Sequence, residues 1–159
     1  MTLLTTLKPA LATSAILMAM TVSLQAQQPS EEYLEQRYNN LLDTADAALG
    51  NAEALSLGFD EEIAAFKAAI STDDLLARLK AKQAMLKYVT ELQNQLNTAQ
   101  VFYTKAMHAL RDWDSNYGPL VSPTELAATY EELRETIEAC GNAKADASRV
   151  RLEILADYF

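Results

Sequence analysis

Two side chains of the kind that most readily ligate metals or move protons near neutral pH occur in the 159 residues, and each occurs once: His108 and Cys140. A single histidine excludes a His-rich zinc site and paired-His haem ligation. His108 lies one step off the apolar stripe of its segment, among Thr104, Lys105, Arg111 and Asp112. That position predicts a solvated helix surface, with Asp112 at i+4 as its neighbour. A catalytic histidine needs an oriented nucleophile, and Thr104 on a helix is a poor one. Cys140 falls on an apolar stripe between Ile137 and Ala143, where a cysteine packs as a small hydrophobe. With no second cysteine in the chain, its chemistry is limited to an intermolecular disulfide or a reactive thiol.

The string richest in oxygen ligands is Asp112-Trp113-Asp114-Ser115-Asn116-Tyr117-Gly118. Oxygen-bearing side chains at alternate positions resemble the start of a calcium loop, in which a turning backbone wraps a hard cation. Tyr117 stands where such a loop has glycine, and its twelfth position is Pro123, with Glu125 two residues late. The metal reading therefore rests on Asp112, Asp114, Asn116 and Glu125, with calcium as the cation. The bland reading is a polar helix end entering a turn, with no cofactor. Glu131, Glu135 and Glu138 share one helix face, with Arg134 expected as the i+4 partner of Glu138. Acid–base chemistry needs one carboxylate desolvated in a cleft, and no feature of the sequence builds one. A carboxylate hydrolase is thus a minor reading, and the expectation is a protein that is not an enzyme.

Aromatic residues gather near the same places. Tyr33 and Tyr38 open the first predicted helix, while Trp113 and Tyr117 close the second, next to Leu120 and Val121 in a turn. Antiparallel helices would bring these residues to one end. Such a cluster is either a lid on the bundle or a surface offered to another protein, since Tyr and Trp anchor interfaces well. Tyr33, Tyr38, Trp113, Tyr117 and Leu120 are the candidate partner-binding residues.

Long helices must position all of these groups. No proline occurs between Ser30 and Gly118, or after Pro123, and proline costs about 3 kcal/mol inside a helix. Leu34, Tyr38, Leu41, Ala45, Ala48, Ala52 and Leu55 recur at helical spacing, and Phe59, Ile63, Phe66 and Ile70 extend the stripe. Glycines at 50 and 58 mark where this first helix is expected to break. Ser71-Thr72-Asp73-Asp74 reads as a stop followed by a fresh N-cap. The second stripe runs Leu75, Leu79, Leu86, Val89, Leu92, Leu96, Ala99, Tyr103, Met107, Leu110 and Trp113, and ends at Asn116-Tyr117-Gly118-Pro119. Ser122-Pro123-Thr124-Glu125 is a capping box with proline at the first helical position. The third stripe is Leu126, Tyr130, Leu133, Ile137, Cys140, Ala147, Val150, Ile154 and Tyr158. Short connections between long helices predict an elongated antiparallel three-helix bundle, coiled-coil-like, with an all-α fold. Counting back from the turns sets Asp60, Glu61 and Glu62 beside Lys80 and Lys82, and brings Arg78 and Lys82 towards Asp157.

The first 26 residues differ from the rest. Their only charge is Lys8, followed by an apolar run from Pro9 to Val22 and a polar step ending Ser23-Leu24-Gln25-Ala26. A basic start, a greasy middle and a small final residue describe a secretory signal peptide cleaved after Ala26. The run is shorter than the roughly 20 apolar residues that a membrane span needs. The expected organisation is a signal peptide at 1–26 and a single helical-bundle domain at 27–159, periplasmic or secreted. The chain carries 22 Asp+Glu against 13 Lys+Arg, a net charge of −9. That balance argues against nucleic acid and anionic lipid as partners. The sequence therefore predicts an exported, acidic binding or assembly protein: an adaptor, a chaperone-like protein or a structural component. It would act through a helical face or the aromatic tip on another protein, a second copy of itself included, with no membrane insertion after cleavage.

Overall fold

The computed structural model describes residues 28–118 and 122–156. The expected signal peptide, and Pro119, Leu120, Val121, Asp157 and Tyr158 among the residues discussed above, lie outside that range. The described residues form four helices and no strand: α1 (Glu31–Leu57), α2 (Phe59–Ile70), α3 (Leu75–Tyr117) and α4 (Pro123–Ala156). None is long and apolar enough to cross a membrane.

Local chemistry sets each boundary. Helix α1 opens with Glu31 and Glu32, acids at the positive end of the helix dipole. It runs through Gly50 and stops at Gly58, so only the second glycine breaks it. At that break the Gly58 amide donates to the Leu55 carbonyl, and the Tyr88 hydroxyl of α3 donates to the same oxygen. A side chain at position 58 would begin 3.2 Å from the Tyr88 hydroxyl, so glycine leaves room for this bond. Asp74 caps α3, its carboxylate accepting from the Leu76 and Ala77 amides at 2.9 and 3.2 Å. Gly118 ends α3 at φ +81°, a conformation that favours glycine, with its amide on the Asp114 carbonyl. The expected capping box is present: Ser122 Oγ accepts from the Glu125 amide, and Glu125 accepts from the Ser122 amide at 3.0 Å.

Helix α3 is the common wall. Helices α1, α2 and α4 all pack on it, whereas no Cα of α1 lies within 8 Å of a Cα of α4. Contacts between α1 and α3 run antiparallel, from Arg37–Asp112 through Asp46–Tyr103 to Leu55–Tyr88. Those between α3 and α4 do likewise: the Gln93 side-chain amide donates to Ser148, and Gln100 reaches the Ile137 carbonyl. The core divides into two clusters. One gathers Ala45, Ala48, Ala99, Tyr103, Leu110, Leu133 and Cys140. The other gathers Ala52, Phe66, Met85, Val89, Leu92, Leu96, Ala147 and Ile154.

The start of α3 departs from expectation. Periodicity puts Leu75 and Leu79 on its buried stripe, but they are 67% and 50% exposed, and Leu76 beside them is 60% exposed. Burial on α3 begins at Met85. Phe59 stacks on Tyr88, about one turn further along α3 than a tight turn at Ser71-Thr72 predicts. The first two turns of α3 thus run past the apolar face of α2. Ala106 and Ala109, outside the predicted stripe, are fully buried.

Candidate functional site

The aromatic end forms where the start of α1 meets the end of α3. Tyr38 and Trp113 pack edge to face, ring centroids 6.4 Å apart, a favourable arrangement for aromatic quadrupoles. Arg37 bonds Asp112 at 3.1 Å on the solvent side of this contact. Trp113 is buried, and its indole N–H has no acceptor among the described residues. A buried donor left unpaired costs about 1–3 kcal/mol. Tyr33 and Tyr117, by contrast, are 55% and 42% exposed. The sequence pattern groups the four aromatics as one cluster. The structure divides them into an inner pair, Tyr38 and Trp113, and an outer pair. Leu120, the fifth candidate, lies outside the described residues.

Tyrosine hydroxyls behind this end are held protonated. Desolvation raises the Tyr38 pKa, and the Glu132 and Asp46 carboxylates add to the effect. Tyr103 is raised further, by burial first and then by its 2.5 Å bond to Asp46. Tyr130 is raised by burial and by Asp114. Each phenol would have to ionise in an apolar site next to a carboxylate.

Three of the four residues of the calcium reading are engaged otherwise. Asp112 holds Arg37, the Asn116 amide donates to the Asp112 carbonyl at 2.6 Å, and Glu125 completes the capping box. No group of three or more His, Cys, Asp or Glu side chains among the described residues could hold a metal ion. His108 is exposed. Arg134 pairs with Glu131 through two bonds, at 2.5 and 3.1 Å, in place of the expected Glu138. The i,i+3 fork brings both guanidinium donors onto one carboxylate. That group borders a broad cleft of mixed charge between α3 and α4, about 550 Å³, with Arg111, Asp114 and Tyr130.

A second site is built from residues far apart in the sequence. Between α1 and α4, floored by Leu92 and Leu96 of α3, lies an apolar slot of about 380 Å³. Its α4 wall is Ala139, Ala143 and Ala147, with Cys140 behind them, and its α1 wall includes Ala52 and Ser56. Cys140 is a free thiol, 2% exposed, and burial raises its pKa. Small residues stepping by four along α4 could have marked the wall, but its volume exists only once three helices are in place. Comparison with known protein families, curated proteins and solved structures returns no match to this chain.

Proposed function

We propose that the chain is an exported binding or assembly protein, released by cleavage after Ala26, that engages another protein through its aromatic end. In this reading residues 27–159 form one elongated antiparallel bundle of three rods, the first made of α1 and α2 and broken at Gly58. The observation that carries the proposal is the division of the aromatic end. A buried Trp113 whose N–H lacks an acceptor among the described residues is flanked in register by Tyr33 and Tyr117, both substantially exposed. A purely structural lid has no need of outward-facing tyrosines. Exposed Tyr side chains offer a large contact area with little entropy to lose, as interface anchors do.

The test has two parts. Mass spectrometry of the exported protein should find a mature chain beginning at Gln27. Crosslinked pulldown, together with light scattering of the eluted protein, should find a partner or a homo-oligomer. Replacing Tyr33 and Tyr117 with Ala should abolish capture with the helical circular-dichroism signal unchanged. A monomer that crosslinks to nothing, or capture unaffected by the double substitution, contradicts the proposal.

A further inference from the structure

The slot between α1 and α4 has the size, lining and charge of a small-molecule site. Its volume of about 380 Å³ falls within the range of about 300–1,000 Å³ typical of ligand pockets. Its floor and inner walls are apolar. Leu92, Leu96, Cys140 and Ala147 are 8% exposed or less, so the floor is buried, while Ser56, Ala139 and Ala143 on the walls are exposed and leave the slot open to solvent. A volume of about 380 Å³ accommodates a single alkyl chain or a ring. Val150 lines both this volume and a smaller one of about 180 Å³ walled by Ile63, Phe66, Met85 and Ile154, with Lys67 and Glu153 at its edge.

Charge at the mouth decides the head group. Among the described residues, Glu53 on α1 and Asp146 on α4 are the charged ones lining the main slot, and no Lys, Arg or His lines it. Asp146 is paired with Arg149 one turn on, while Glu53 makes no ion pair among the described residues. An anionic head would meet the like charges of Glu53 and Asp146 at the edge of the slot. A cationic head would be matched there, and the chain's net charge of −9 would draw it in from solution. We propose that this slot is a binding site for a small hydrophobic cation, with an alkyl or ring body between α1 and α4 and an ammonium head at Glu53. This site is separate from the aromatic end.

Three ten-carbon probes below their micelle-forming concentrations test it: decylammonium, decanol and decanoate, titrated into the full chain by calorimetry. Decylammonium should bind at least tenfold more tightly than decanoate. Ala143→Phe and Ser56→Leu, which fill the slot from opposite walls, should each weaken it tenfold or more with the helical circular-dichroism signal unchanged. Glu53→Gln should bring decylammonium down to the affinity of decanol. Tyr33→Ala should change none of these, which keeps the outcome independent of the aromatic end. Equal binding of all three probes, no binding of any, or binding indifferent to both filling variants would overturn the proposal.

Discussion

The two halves of the α1–α4 seam, both laid on α3, are built from different side-chain sizes. Towards the aromatic end, α1 contributes Tyr38 and Leu42, α4 contributes Tyr130, Leu133 and Ile137, and α3 fills the middle with Tyr103 and Leu110. Towards the break at Gly58, the facing residues are Ala52 and Ser56 on one side and Ala139, Ala143 and Ala147 on the other. The helix backbones stay apart along the whole seam. Large side chains therefore close one half, and small ones leave the slot open in the other. A change of residue size along one seam is enough to make a pocket, with no strained loop or special turn.

The contrast is open to attack, most strongly at Trp113. Trp113→Ala removes the buried ring of the closed half, and denaturant unfolding should show a loss of about 3–5 kcal/mol. A loss below about 1 kcal/mol would mean that the aromatic end is not packed as described. Ala143→Leu tests the open half with the opposite sign. Its added carbons, entering apolar space, should raise stability by about 1–2 kcal/mol, at about 0.8 kcal/mol per buried methylene. A fall in stability would show that the slot is already filled or closed.

Tyr103→Phe has a smaller effect, about 1 kcal/mol, through loss of the bond to Asp46. It also sharpens the contrast through pH. The folded Tyr103 pKa lies above its ordinary value of 10, so its stabilising contribution is complete below pH 10. That contribution is lost as the pH rises from there through the folded value. Tyr38 and Tyr130 shift in the same direction. Thermal melts should therefore fall above pH 10, and Tyr103→Phe should fall less steeply than the parent.

Signals confined to a few neighbouring residues are legible in the sequence itself. Asp74 as a cap, the Ser122–Glu125 box and the break at a glycine each depend on atoms within a turn of one another, so residue type alone specifies them. The recurrence of apolar residues likewise locates most of the core, from Val89 to Trp113 and from Leu133 to Ile154. Leu75 and Leu79 escape it because periodicity reports an apolar face but not whether a neighbour extends far enough to cover it. The Arg134 pairing escapes it because Glu131 and Glu138 are similarly near in sequence, and only rotamers choose between them. The slot is invisible there for a related reason. An alanine reads as a small core residue, and the space beside it belongs to three segments far apart in the chain. Separation of the outer tyrosines from the inner pair depends on the same register.

Amide hydrogen exchange resolved along the chain tests the central contrast most directly, because local opening reports how well each segment is packed. In α1 and α4, residues 38–49 and 126–137 on the closed half should exchange more slowly than residues 52–57 and 143–154 beside the slot. The stretch of α3 from Val89 to Trp113 should be slowest of all. Equal protection in the two halves, or faster exchange around Tyr38 and Leu133 than around Ala143, would contradict the account.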